Sequence, residues 1–437
     1  MSLRERLRRR AQSQGPIRVG LVGAGQMGAG FISQTEKMEG MRVVATADVV
    51  PGRAAEAYRE SGVPADQIVS LDEHPERAAE LIQQGRRIAT TDANFLVQIG
   101  ALDVVLECTG VPEVGAQVCY AAIQAGKHIV NMNVEADATV GYALAHLAAQ
   151  RGVVYSLVAG DEPGSIKELY DFADALGFEV VYVGKGKNNP LDRSATPAQL
   201  EEAARRQQMN PKMLASFVDG TKTMVEMTSI GNGVGFAPEV TGGRGPRCSV
   251  QELPLVFVPK EAGGVFEGVR AVDFAIGDVA PGVFVTITTD QPKVIRDLRY
   301  LRLLGNPRHD YWVLYRPYHL ANLEAPLTVA RVVLDGEETL ATHRPPVAET
   351  VAYAKRDLHP GERIDALGGF TVYGMIERAE RARANQEVPL GLVVGGVVTR
   401  PIVAHQPIHY DEIELNTKQR IVQLRQEQDR LLGYTAG

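Results

Sequence analysis

The first apolar run, Ile17-Arg18-Val19-Gly20-Leu21-Val22, is short, nearly unbroken and ends at the glycine-rich turn Gly23-Ala24-Gly25-Gln26-Met27-Gly28. A run of that kind predicts a strand buried on both faces, with a helix opening at the turn and continuing to Lys37. Met41-Arg42-Val43-Val44-Ala45-Thr46-Ala47-Asp48 repeats the strand pattern and completes a strand–helix–strand unit. Pro51-Gly52-Arg53 starts a helix through Tyr58, and a charge-rich stretch to Asp92 reads as a peripheral insertion. Strands are then expected at 103–107, 128–131 and 153–158, with helices at 114–125 and 138–151 between them. Such alternation predicts a doubly wound α/β domain over 1–160. Past Gly160 the pattern loosens into glycine-rich loops around Gly184, Gly186 and 231–245, with helices at 165–176 and 213–229. This reads as an α+β substrate domain over 161–345. Pro345-Pro346 marks a linker to a small β-rich C-terminal domain over 346–437, closed by a polar helix from 413 to 432.

The chain has 437 residues, enough for two or three cores, and its 45% hydrophobic and 23% charged residues are those of a globular protein. A formal net charge of −7 disfavours nucleic-acid and anionic-membrane partners. The arginines from Arg4 to Arg10 read as one solvated leading helix. Cys108, Cys119 and Cys248 are odd in number and lack metal-site spacing, so neither a disulfide framework nor a zinc site is indicated. With no apolar span or signal-like start, a cytoplasmic location is expected.

The turn after the first strand has the G-x-G-x-x-G spacing of a Rossmann-type dinucleotide site, and its context strengthens it: a strand before, a helix after, and Asp48 about 20 residues further on. Gly23 permits the tight turn, Gly25 the approach of the pyrophosphate, and Gly28 the packing of helix on strand. Gln26 and Met27 lie in the same helix start, whose amides favour phosphate. Asp48 suits the ribose hydroxyls of NAD, while Arg53 keeps NADP open. Cys108, Thr109 and Gly110, and also Asn133, leave the carboxyl ends of strands where a nicotinamide is expected.

Hydride transfer to a carbonyl needs a proton donor and a group that polarises the oxygen, and lysine supplies both when its pKa is lowered. Val183-Gly184-Lys185-Gly186-Lys187-Asn188-Asn189 reads as a cationic loop able to hold an anionic group with Lys185 and Lys187. Asp219-Gly220-Thr221-Lys222-Thr223 reads as a helix start, with Lys222 as the leading proton donor. Glu135 and Asp161 are candidates to orient a substrate hydroxyl. Asp161 and Glu162 also leave a divalent metal open beside simple helix capping, so the metal stays unassigned. For His319, packing is the better reading.

Taken together, the stretches at 22–28, 133–137, 160–164, 184–188 and 219–223, with Ala354-Lys355-Arg356-Asp357-Leu358-His359-Pro360-Gly361-Glu362 and Tyr410-Asp411-Glu412, carry a resemblance. The chain resembles homoserine dehydrogenase-like NAD(P)-dependent oxidoreductases with a C-terminal SAF domain, a group that includes deoxyxylulose-phosphate reductoisomerase-like enzymes. The resemblance implies an NAD(P)-dependent enzyme and a homodimer, while the cationic stretch at Lys185 and Lys187 points to a small anionic hydroxylated substrate, a sugar phosphate or sugar acid ahead of homoserine. The alternatives are a homoserine dehydrogenase-type alcohol/aldehyde oxidoreductase and a non-catalytic nucleotide- or sugar-binding sensor.

Overall fold

The computed structural model describes residues 1–434. The chain divides into two compact units, Met1–Gly164 with Leu320–His343, and Ser165–His319 with Arg344–Gly437. The first is a parallel sheet of seven strands in the order β3-β4-β2-β1-β5-β6-β7. In chain order these are β1 (Ile17–Val22), β2 (Met41–Ala47), β3 (Ile68–Ser70), β4 (Arg87–Thr90), β5 (Val104–Glu107), β6 (His128–Asn131) and β7 (Tyr155–Leu157). Ile17, Val19 and Leu21 of β1 are fully buried, as a central parallel strand covered on both faces requires. The helix Ala321–Asp335 returns to this unit and adds Ala325, Val329 and Ala330 to its core. Among the described residues no helix is long and apolar enough to cross a membrane.

The stretch expected as a peripheral insertion before Asp92 supplies β3 and β4, which extend the sheet beyond β2. Its charge misleads because Arg87, on β4, is buried with its guanidinium 3.3 Å from Glu36. The leading helix Leu3–Gln14 starts in a capping box at Ser2, and Arg6 and Arg10 pair with Asp335 and Asp103.

The second unit is built on a four-stranded mixed sheet in the order β11-β10-β8-β9. Here β8 is Glu179–Lys187, β9 Ala271–Ile276, β10 Val283–Thr288 and β11 Trp312–Arg316. An aromatic cluster fills its core, with the Phe257 ring 4.5 Å from Phe284 and the Phe266 ring 4.6 Å from Tyr182 between centroids. A hairpin-like antiparallel pair, β12 (Ala348–Ala354) and β13 (Val372–Arg378), packs on the helix Thr221–Val234. Asn232 donates to the Ala348 carbonyl at 3.1 Å, the Thr228 and Thr350 hydroxyls are 2.8 Å apart, and the Gly374 amide donates to Thr221 at 2.9 Å. The C-terminal β-rich piece is therefore fastened to the helix that carries Lys222.

Candidate active site

In the first unit the glycine turn leads from β1 into the helix Gln26–Thr35 and lies against the end of β5, where the strand order reverses and α/β sheets bind ligands. Gly23 has φ +95, and a Cβ there would lie 2.9 Å from the Cys108 carbonyl carbon. At Gly28 a Cβ would fall 2.0 Å from the Gly23 oxygen, so only glycine lets the helix Gln26–Thr35 start so close to β1. Gly25 differs: its Cβ position meets nothing within 4 Å, and it caps the helix without any side-chain hydrogen bond. Open space beside an uncapped helix N-terminus fits a dinucleotide pyrophosphate. Gln26 is exposed at this helix start, whereas Met27 is half-buried and packs on the core.

Asp48, just past β2, accepts the Ala24 amide at 2.8 Å and the Val50 amide at 2.9 Å, which ties the β2 end to the glycine turn. Arg53 approaches the same carboxylate at 3.6 Å. The carboxylate is thus fixed where a ribose hydroxyl could donate to it, with a cation beside it.

Across the turn, Asn133 caps the helix Val134–Gln150 by accepting the Ala136 amide at 3.0 Å, and it donates to the Val111 carbonyl at 3.0 Å. That helix begins earlier than the expected 138, so Glu135 stands in its first turn. Thr109 donates its amide at 2.9 Å and its hydroxyl to Glu107. Gly110 is exposed, with φ +66. Burial pushes the Cys108 thiol well above its ordinary pKa, so it has no thiolate character to offer as a nucleophile.

Glu107 heads the stretch expected at the nicotinamide end, without a side-chain role of its own there. It is fully buried, its Oε2 has no hydrogen-bond partner among the described residues, and burial raises its pKa to about 7. The one signal was a charged residue ending the apolar run Val104-Val105-Leu106.

In the second unit, Gly184 to Lys187 is not the expected loop but the last part of β8. Its glycines make room for the protein's own backbone: a Cβ on Gly186 would sit 2.0 Å from the Ala280 nitrogen, and one on Gly184 2.5 Å from the Asp273 oxygen. Lys185 and Lys187, two apart on one strand, share a face and are both buried. Lys185 pairs with Glu226, which is 1% exposed, and Lys222 lies 4.0 Å from the same residue one helical turn away. Lys187 donates to the Phe217 carbonyl at 2.6 Å. Burial, reinforced by the neighbouring Lys185 charge, lowers its pKa to about 8.

The expected single helix at 213–229 is two, Pro211–Val218 and Thr221–Val234, broken at Gly220 with φ 88. Asp219 accepts the Thr221 amide at 2.8 Å, so it does bond the first turn, and it forms a buried 2.8 Å ion pair with Lys355. Glu226 was not expected in the site because a charge on a helix usually marks a solvated face, and Lys355, just past β12, because a lone lysine at a strand end usually reaches solvent. The lysines at 185, 187 and 222 thus come together in one unit. Glu135 belongs to the other, as does Asp161, buried at the start of the helix Glu162–Ala175.

Three families match successive stretches: the NAD binding domain of homoserine dehydrogenase over 23–157, the catalytic domain of oxidoreductase DRL over 160–325, and the SAF domain over 349–414. No curated protein matches the chain. Solved structures similar to it include a probable dehydrogenase from Thermotoga maritima, 14% identical, covering 74% of this chain and 90% of that one with a TM-score of 0.41. Another is the apo scyllo-inositol dehydrogenase from Lactobacillus casei, 15% identical, covering 74% and 89% with a TM-score of 0.39.

Proposed function

The chain belongs to the homoserine dehydrogenase-like NAD(P)-dependent oxidoreductases that carry an SAF domain, and from that premise we propose that it interconverts the carbonyl and alcohol forms of a small anionic, hydroxylated substrate, a sugar phosphate or sugar acid. The observation that carries this reading is Lys187, a buried lysine whose pKa of about 8 lets it give or take a proton near neutrality.

The glycine turn, with Asp48 and Arg53, would hold the dinucleotide, and Thr109 and Asn133 would flank its nicotinamide end. When bound, that cofactor supplies or accepts the hydride. In the reduction, Lys187 Nζ gives its proton to the oxygen that was the carbonyl. Lys222, the leading donor on sequence grounds, is instead assigned with Lys185 to the substrate anion, because Glu226 orients both ammonium groups. Glu135 and Asp161 are proposed to accept substrate hydroxyls. A homodimer is part of the same proposal and is checked by the mass of the native protein.

The test is a screen of polyol phosphates, aldonates and homoserine against both cofactors, followed by nicotinamide absorbance. Turnover of an anionic polyol is expected, with kcat/KM for reduction falling as the pH rises through about 8, where Lys187 loses its proton. Turnover of homoserine alone would overturn the substrate reading.

A further inference from the structure

A cleft of about 570 Å³ lies in the second unit, lined by residues of β12, of the 382–392 stretch and of the helix Arg420–Leu431. Its size is that of a small-molecule site. The acidic groups on its wall are Glu349, Glu387 and Asp429, and the basic ones are Arg383 and Arg425. Arg425 is committed: its guanidinium lies 2.7 Å from Glu349 and 3.0 Å from Asp429. The Arg383 guanidinium covers the Tyr434 ring at 4.2 Å.

Glu387 is the exception. It is 7% exposed, its Oε1 accepts from Asn385 at 3.0 Å, and its Oε2 is buried with no partner among the described residues. A carboxylate oxygen held out of water without a donor is costly, and a ligand carrying that donor removes the cost. The surplus carboxylate makes the wall repel a phosphate or a carboxylate, the reverse of the lysine cluster around Glu226. Tyr410 and Tyr434 add aromatic surface, and Gln426 and Thr417 add groups that bond hydroxyls.

We propose that this cleft binds a small polyol bearing a primary ammonium group, with the ammonium on Glu387 and the hydroxyls along the Thr417 and Gln426 side. The ligand differs in charge from the substrate proposed above, so the two readings stand or fall separately.

Calorimetric titration of the full chain with glucamine and with sorbitol, its counterpart lacking the amine, tests the proposal. Glucamine should bind at least about tenfold more tightly than sorbitol, the scale of one charge-assisted hydrogen bond. Glu387→Gln keeps the side-chain shape and should abolish that preference. Thr417→Trp, at an exposed position on the cleft wall, should block both ligands at unchanged Tm and decides the matter if the first variant fails to fold. No binding of glucamine, equal binding of the two, or glucamine binding that survives both substitutions would overturn the proposal.

Discussion

Two glycine-rich stretches enter the proposed chemistry, and they use glycine for opposite ends. Around Gly25 the missing side chain leaves open space at a helix N-terminus, whereas at Gly186 the missing side chain is replaced at once by the Ala280 backbone. The first arrangement makes room for a ligand, and the second lets a strand carry two lysines into a packed interior. Flexibility has no part in the second: β8 is paired on both sides, with β9 and with β10. Glycine spacing therefore points to a ligand only where the space it creates stays empty.

The comparison is broken most severely at Gly186. Gly186→Val should unfold the second unit or destabilise it by roughly 3 kcal/mol or more, since the clash is with backbone that cannot rotate away. Denaturant melts would show it, and a variant as stable as the parent would mean β8 is not packed as described.

Lys187→Ala comes next. It should lower turnover by about 10²- to 10⁴-fold with cofactor affinity nearly unchanged, whereas Lys222→Ala should chiefly raise KM. Steady-state kinetics in both directions separate the two, and the opposite pattern exchanges their roles.

How far these roles were legible along the chain follows from the same contrast. β1, the turn and β2 could be read because strands buried on both faces are nearly uniform apolar runs and the turn's glycines are set by local geometry. β3, β4 and the end of β8 could not, because their burial depends on distant partners: Glu36 for Arg87, Glu226 for Lys185, the Phe217 carbonyl for Lys187. Likewise Lys355 reads as a surface charge until the fold brings Asp219 to it. Placing a charge in a core is a tertiary decision, so composition and periodicity assign it to the surface.

A smaller effect sharpens the nucleotide side. Glu107 has its pKa raised from 4.5 to about 7 by burial, so between those values the folded chain binds the proton that the unfolded chain releases. Its contribution is fully present below about pH 4.5 and is lost as the pH rises towards 7. Thermal melts should show Tm declining over that window by on the order of a few degrees relative to Glu107→Gln, which carries no proton to lose. Parallel curves for the two proteins would remove Glu107 from the account. The smallest change is expected from Asp48→Ala, a several-fold shift of preference towards NADPH as a negative charge beside Arg53 is removed. An unchanged NADH to NADPH affinity ratio would end that assignment.

The central claim is that the space glycine leaves receives a ligand at Gly25, where it stays open, and not at Gly186, where backbone fills it. Titration calorimetry of NADH and NADPH into the parent protein and into Gly25→Val tests it most directly. Binding of at least one cofactor by the parent, weakened at least about tenfold in a Gly25→Val protein whose Tm stays within about 2 °C, is the expected result. Equal affinity in the two proteins, or no binding to the parent at millimolar concentration, would contradict it.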